Sequence, residues 1–222
     1  MRSKLTERIS SLDSRLILAL DFPSKGVKEL LVALRDLAVG VKVGFPITLS
    51  MGFDGVGKLV REFPEYYWIA DYKLADIPEV VQHIIGHLEG MGFDATILHL
   101  FTGHRNYETA MDLIGVAAMS HPEAKLFRRD FIRLLEEAEL LGIEGIVVGA
   151  TRPEMIREAR RRLPGVRIFS PGVGAQGAEP GSAIEAGADL EIVGRSILRS
   201  EDPIEEAMRI VEAQRGVIHG RA

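Results

Sequence analysis

The strongest constraint on the fold is an alternation of short apolar runs with longer segments of helical period. Runs of five to seven residues, rich in Val, Ile and Leu, occur at 15–21, 39–45, 67–73, 94–100, 113–119, 144–150, 166–170 and 189–194. Most have few polar interruptions, which is typical of parallel strands covered on both faces. No linker rich in Gly, Pro or Ser divides the chain. We therefore expect one domain of alternating strands and helices.

The segments between these runs carry helix signals. Apolar residues recur at i, i+3 and i+4 in 131–141 and 204–211. Asp76, Thr151 and Asp202 stand before a proline or an acidic residue of a first turn, as N-cap residues do. Eight strand–helix units predict an α/β fold, a single (β/α)8 TIM barrel over 1–222, with a short N-terminal helix at about 5–12. An open, doubly wound sheet is the alternative fold.

Composition and charge exclude several functional classes. The 222 residues carry a formal net charge of -5, so no overall basic field attracts a nucleic-acid backbone and we expect no nucleic-acid partner. Cysteine is absent, which excludes disulfides and thiolate metal sites. The sequence contains neither an apolar stretch of membrane-spanning length nor the apolar core of a signal peptide. We expect a cytoplasmic protein with no membrane partner.

Charged residues collect where the first three strands end. Asp21 ends the first strand, Lys42 lies in the second, and Asp71, Lys73 and Asp76 follow one another at the end of the third. The carboxyl ends of barrel strands form one mouth, where the active sites of such barrels lie. The cluster could be an ion-pair network that only neutralises itself, and Asp76 could serve as a helix cap. Because partly desolvated charges cost stability, we predict instead that the cluster is catalytic.

A glycine-rich segment, PGVGAQG at 171–177, follows the seventh strand. It contains G-x-G-x-x-G, but a dinucleotide-binding half does not fit into the remaining chain, and Pro180 interrupts the helix that should follow. We pair the segment with 193–196 after the eighth strand, because these two loops commonly bind phosphate in such barrels. Arg195 adds a planar cation suited to phosphate. The alternative is that these glycines only form turns.

Two histidine patterns point to less specific roles. Ser120 and His121 are adjacent, so their side chains diverge on an extended chain, and we interpret Ser120 as a binding hydroxyl or a helix cap. His83 and His87 are spaced i, i+4 and could share a metal ion. We favour packing or solvent-exposed histidines, on a helix whose Val80, Ile84 and Leu88 face inward. We predict no metal site.

Six strings together resemble the orotidine 5′-monophosphate (OMP) decarboxylase family, particularly its short archaeal barrels. They are LALD ending at Asp21, VKVGFP around Lys42, ADYKLADIPE at 70–79, MSHP around Ser120, SPGVGAQG at 170–177 and VGRSI around Arg195. They occur in the family's order and extend over 15–197. The resemblance implies the last step of uridine 5′-monophosphate (UMP) synthesis, the decarboxylation of OMP, without metal or cofactor.

The resemblance also assigns roles. It implies that Lys73 protonates the carbanion at pyrimidine C6, that Asp71 lies beside the substrate carboxylate, and that Lys42 and Asp76 complete the charge network. It further implies a homodimer in which Asp76 and Ile77 reach in from the second subunit. It places Asp21 and Lys42 at the ribose and Ser120 at the pyrimidine. It places Gln176 and Arg195 at the phosphate, with Gln176 also bridging to Ser120. The other implied substrate-binding residues are Ile77, Pro171, Gly172, Val173, Gly174 and Gly194.

The chain departs from the family pattern at two places. Val80 stands where many members have threonine, which removes a hydroxyl that contacts the neighbouring subunit's ribose, and 99–103 follows the pattern only loosely. Two alternative functions stay open. A metal-dependent sugar-phosphate decarboxylase or hexulose-phosphate synthase of the same superfamily uses a glutamate after the second strand, whereas this chain has Lys42 in that strand and no glutamate immediately beyond it. The other alternative is a catalytically silent nucleotide-binding barrel.

Overall fold

The computed structural model describes residues 4–21, 26–103, 106–121 and 123–220, and Pro122 of the MSHP string lies outside these ranges. Eight parallel strands form a closed barrel in chain order, which confirms the predicted barrel and excludes the open sheet. Each predicted run overlaps one strand. The strands are β1 Leu16–Leu20, β2 Gly40–Gly44, β3 Tyr67–Leu74, β4 Ala95–His99, β5 Asp112–Val116, β6 Gly145–Val147, β7 Arg167–Pro171 and β8 Leu190–Val193.

Helices surround the barrel. They are α1 Lys4–Leu12, α2 Val27–Ala33, α3 Phe45–Glu62, α4 Pro78–Met91, α5 Lys125–Arg129, α6 Phe131–Leu141, α7 Pro153–Arg162, α8 Ser182–Ala186, α9 Arg195–Leu198 and α10 Pro203–His219. The β4–β5 connection differs from the predicted repeat, because its described part holds a 3-10 turn at Leu100–Thr102 and no α-helix. No helix in the described ranges is both long and apolar enough to span a membrane.

Alternation along the strands divides the core into two layers. In β1, Ile17 and Ala19 face the barrel interior, whereas Leu16, Leu18 and Leu20 pack under the helices. The N-terminal helix, predicted at about 5–12, spans Lys4–Leu12, and its fully buried Leu5 joins the interior layer. The bottom of the barrel is therefore covered, and the open mouth lies at the carboxyl ends of the strands. The single domain over 1–222 stays a prediction.

The capping predictions have mixed outcomes. Asp202 caps α10, since its carboxylate accepts hydrogen bonds from the backbone N–H groups of Ile204 and Glu205. The predictions for Thr151 and Asp76 are wrong, because each lies one residue before the N-cap position of its helix. Their side chains make other hydrogen bonds.

The prediction for the inward face of α4 is wrong at Val80. The buried residues are Val81, Ile85 and Leu88, whereas Val80 is 39% exposed. Successive helical residues are rotated by about 100° around the axis, so the neighbouring position Val81 takes the inward direction. Val80 consequently adds to an apolar surface near the mouth of the barrel.

Candidate active site

A cavity of about 320 Å³ opens at the carboxyl ends of the strands. It brings together most of the residues predicted from the sequence, drawn from six of the strand ends and the loops that follow them. The predicted residues that line it are Asp21, Lys42, Asp71, Lys73, Ser120, Pro171, Gly172, Val173, Gln176, Gly194 and Arg195. Gly174 lies in the same loop, between the lining residues Val173 and Ala175.

Four charged side chains form a continuous chain across one wall of this cavity. Lys42 Nζ lies 2.9 Å from Asp21 Oδ1 and 2.9 Å from Asp71 Oδ2. Lys73 Nζ lies 2.8 Å from Asp71 Oδ1. The side chains of Lys42 and Asp71 are only 8% exposed, whereas Lys73 is 41% exposed and faces the cavity. Each carboxylate oxygen of Asp71 is therefore paired with an ammonium group.

The pairing keeps the buried groups charged. Burial opposes the charge on Lys42, but Asp71 and Asp21 outweigh it and raise the pKa of Lys42 above its ordinary value. Burial likewise opposes ionisation of Asp71, but Lys42 and Lys73 outweigh it and hold the pKa of Asp71 below its ordinary value. At neutral pH the buried Lys42 and Asp71 side chains therefore carry opposite full charges.

An irregular strand end brings Lys73 next to Asp71. The register of β3 against β4 shifts between Ala70 and Leu74, and Lys73 has a left-handed φ of 47°. In a regular strand, residues two apart project roughly 6.6 Å apart. A left-handed non-glycine residue costs about 1–3 kcal/mol, and such residues cluster at functional sites. The strained backbone therefore supports a functional role for Lys73.

Tyr72 anchors this strand end from the other side. Its ring lies 5.0 Å from that of Phe45 and 5.6 Å from that of Phe53, both in α3. Its hydroxyl lies 2.8 Å from Thr48 Oγ1, which also donates to the carbonyl of Gly44. The segment between Asp71 and Lys73 is thus held against α3.

Ser120 is held by the loop that follows β6. Thr151 Oγ1 donates to the Ser120 carbonyl at 3.0 Å, and a Cβ at Gly149 would lie 2.6 Å from the Ser120 Cα. Gly172 has a φ of 108°, and a Cβ there would come within 3.3 Å of Ser120 Cβ and 3.5 Å of Gln176 Oε1. Ser120 and Gln176 therefore converge around Gly172.

A scan against protein-family models matches residues 14–210 to the family described as "Orotidine 5'-phosphate decarboxylase / HUMPS family". The chain belongs to this family. A curated orotidine 5′-phosphate decarboxylase from Thermococcus kodakarensis is 41% identical over 206 residues, covering 90% of this chain and 96% of the relative. The corresponding protein from Methanosarcina mazei is 36% identical over 218 residues, covering 93% and 97%.

Solved structures of family members have the same barrel fold as this chain. The OMP decarboxylase of Sulfolobus solfataricus superposes with a TM-score of 0.83 at 31% identity, covering 92% of this chain and 99% of that one. That of Methanocaldococcus jannaschii, solved in complex with the inhibitor BMP, superposes with a TM-score of 0.81 at 30% identity, covering 90% and 98%. The fold and the strings identified in the sequence thus belong to one decarboxylase family.

Two residues with roles implied by the decarboxylase family lie outside the cavity of this single chain. Asp76 and Ile77 are exposed, Ile77 to 61%, and Asp76 Oδ1 accepts a hydrogen bond from the Ile77 N–H at 2.7 Å. Neither lines the cavity. A role across a subunit interface stays a prediction.

Sequence reasoning missed the apolar floor of the decarboxylase-family cavity. Ala19, Ile97, Val116, Val147 and Ile192 line it below the charged wall. They face inward by strand alternation, but their identity does not distinguish them from other apolar strand residues. Strand alternation predicts which residues of each strand face the barrel interior. Counting inward positions from the residues of β1 and β2 that line the cavity could therefore have found these five residues.

His99 is a further residue that sequence reasoning did not place. Its ring stacks on Phe101 with centroids 4.8 Å apart. Burial, assisted by Lys73 and opposed by Asp71, lowers the pKa of His99, so that its imidazole is neutral at neutral pH. His83 and His87, in contrast, are exposed on α4 with their Nε2 atoms 3.1 Å apart.

Proposed function

We propose that this chain decarboxylates OMP to UMP at the cavity described above. The observation that carries the proposal is the Asp21–Lys42–Asp71–Lys73 chain. Its two central side chains are buried, and it places the exposed Lys73 ammonium group at a cavity of about 320 Å³. The names of the curated relatives support the same reaction. The cytoplasmic location expected from the sequence stays a prediction.

Lys73 acts as the proton donor. When the C6–carboxylate bond breaks, carbon dioxide leaves and the electron pair stays on C6 of the pyrimidine. A nearby cation stabilises this developing charge, and proton transfer from the Lys73 ammonium forms the C6–H bond of UMP. The neutral amine then regains a proton from water. The ion pair with Asp71 holds Lys73 Nζ in place for this transfer.

Asp71 acts in two ways. It orients Lys73 and Lys42, and it places a negative charge beside the carboxylate that leaves. Two unit charges about 3.5 Å apart repel by roughly 4–5 kcal/mol at an effective dielectric constant near 20, which is an upper bound here because both lysines offset part of it. Repulsion alone is therefore insufficient, and stabilisation of the carbanion supplies the larger part of the rate.

The phosphate provides the binding energy for this arrangement. Arg195 and Gln176 bind the phosphate, with the backbone of Pro171–Val173, Gly174 and Gly194 approaching it closely. Asp21 and Lys42 contact the ribose hydroxyls, and Ser120 contacts the edge of the pyrimidine. Interactions with such a remote group can stabilise the transition state when they hold the reacting ring in place.

A homodimer completes the site. Apolar side chains are exposed along α3 and at the start of α4, on the side of the mouth that carries Asp76. They are Phe45 at 53%, Leu49 at 84%, Met51 at 37%, Phe53 at 52%, Ile77 at 61% and Val80 at 39%. Exposed apolar side chains grouped on neighbouring helices in this way are typical of a subunit interface. We infer that a second copy covers it and receives Asp76 and Ile77.

The dimer has a direct test. We expect Leu49→Asp to lower the sedimentation coefficient to that of a monomer and to reduce decarboxylation sharply, because a charge would be buried at the interface. Leu126→Asp, at a side chain 66% exposed on α5, is the matched control and leaves both unchanged. A monomeric Leu49→Asp protein with full activity would exclude a shared site.

One further candidate function follows from the family description, which also names the HUMPS branch. In this chain the carboxylate oxygens of Asp71 are occupied by Lys42 and Lys73, and β2 presents a lysine toward the cavity. This arrangement favours lysine-assisted decarboxylation over a divalent-metal site.

The deciding experiment measures the fall in ultraviolet absorbance of OMP in excess EDTA. We expect turnover by the wild type and almost none by Lys73→Ala, with UMP binding retained. Lys58→Ala, an exposed lysine on α3, controls for loss of positive charge. Activity that disappears with EDTA would indicate the metal-dependent branch. Binding of UMP without turnover by the wild type would indicate the catalytically silent barrel.

A further inference from the structure

The two loops assigned to the phosphate are joined by a side-chain hydrogen bond. The backbone N–H of Ala175, in the loop after β7, donates to Ser196 Oγ at 2.9 Å. Ser196 is the second residue of α9 and follows Arg195, while Ala175 precedes Gln176. The bond therefore connects the immediate neighbours of the two side chains that bind the phosphate.

The backbone fits closely around the Ser196 hydroxyl. Gly174 has a φ of 70°, and a Cβ at this position would lie 2.1 Å from Ser196 Oγ. A side chain larger than hydrogen would push the loop away from α9. Glycine thus permits both the left-handed backbone and the close approach that the hydrogen bond requires.

The loop is also closed on itself. The Gly174 N–H donates to the Ala178 carbonyl at 2.7 Å, and the Gly177 N–H donates to the Gly174 carbonyl at 2.8 Å. A bridge between Val173 and Ala178 completes a small turn structure. These contacts hold the turn together, so its attachment to Ser196 helps to fix where Gln176 lies relative to Arg195.

We propose that Ser196 is a positioning residue for phosphate recognition. By accepting the Ala175 N–H, its hydroxyl holds the β7 loop against α9, so that donors from both loops meet one phosphate group. The bond stabilises the arrangement in which both loops reach the phosphate, and its loss raises the conformational cost of binding. Ser196 contacts no reacting atom in this role. The proposal rests on the phosphate assignment made under the proposed function.

The test compares a phosphorylated ligand with its unphosphorylated counterpart. In Ser196→Ala we expect the affinity for UMP, measured by titration calorimetry, to fall about fivefold, as for one ordinary hydrogen bond. The affinity for uridine stays unchanged. With OMP, KM rises by a similar factor while kcat at saturation changes less than twofold. The control variant Ser200→Ala removes a hydroxyl that donates to the Asp202 carbonyl beyond α9. It leaves the UMP affinity, the uridine affinity, KM and kcat unchanged.

A conservative variant separates positioning from general destabilisation. Ser196→Thr retains the hydroxyl and restores at least half of the UMP affinity lost in Ser196→Ala, and urea unfolding establishes that each variant is folded. Equal losses for UMP and uridine, or no loss for UMP, overturn the proposal, as does a threonine variant as weak as the alanine variant. A wild type that binds UMP no better than uridine refutes the phosphate assignment itself. A wild type that binds UMP tightly without turnover refutes only the decarboxylase function.

Discussion

Replacing Lys42 by methionine tests whether the charged wall is as tightly coupled as its geometry indicates. Lys42 Nζ lies 2.9 Å from carboxylate oxygens of both Asp21 and Asp71, and its side chain is 8% exposed. Coulomb's law gives about 6 kcal/mol for each contact at an effective dielectric constant near 20, and desolvation of the ammonium offsets much of this. Removing one partner of a buried ion pair costs about 3–5 kcal/mol, because the other charge stays buried. We expect a loss of this size in the free energy of unfolding.

The assay is urea unfolding as a function of pH. In the folded wild type the pKa of Asp71 is depressed, so its stabilising contribution is present above the ordinary carboxyl pKa and is lost as pH falls through the depressed value. Lys42→Met removes one of the two cations and raises that pKa. The difference in stability between wild type and variant should therefore be greatest near neutrality and shrink in acid.

Lys28→Met is the matched control, since Lys28 pairs with Glu62 on the surface with side chains 58% and 45% exposed. An exposed pair of this kind contributes at most about 1 kcal/mol. A loss below about 1 kcal/mol for Lys42→Met, or a loss that does not change with pH, would refute the coupled network.

Two further predictions concern other parts of the structure. Gly172→Ala should weaken UMP binding at least tenfold in calorimetry, because a φ of 108° disfavours alanine and the new Cβ would press on Ser120. The control Gly165→Ala, at a glycine with open space around it, should leave the UMP affinity unchanged. For Glu191, burial, opposed by hydrogen bonds from Gln214 and backbone N–H groups, raises the pKa. The free energy of unfolding should therefore decline as pH rises from the ordinary carboxyl pKa to the raised pKa of Glu191. Urea unfolding of a Glu191→Gln variant, measured over the same pH range, should show no such decline.

The fold could be predicted because its signal is local and repeated. Apolar runs and amphipathic segments alternate along the chain, and the barrel closes them in sequence order. Helix boundaries could be predicted less well, as at Thr151, where the N-cap position is one residue further along. The Thr151 hydroxyl instead reaches Ser120 in another loop. A contact between distant loops leaves no periodic signal in either segment.

The charged wall was predictable for a different reason. Asp21, Lys42, Asp71 and Lys73 are polar residues at the ends of apolar strands, and neighbouring parallel strands must bring such ends together. Their pairing order, with Lys42 between two carboxylates, depends on the register of β1, β2 and β3. The left-handed backbone of Lys73 depends on the irregular pairing of β3 with β4, which no pattern in 67–74 indicates.

That irregular strand end links stability to function. A left-handed lysine and a buried aspartate both disfavour the folded chain, and elsewhere in a strand a regular backbone with apolar side chains would be more stable. Two contacts offset these costs here, the lysine ammonium groups on Asp71 and the anchoring of Tyr72 against α3. Because ion pairs within the chain itself hold the array, the cost of assembling these charges is met during folding. Under the proposed function, the binding energy of a phosphorylated substrate is then left to position the pyrimidine over Lys73.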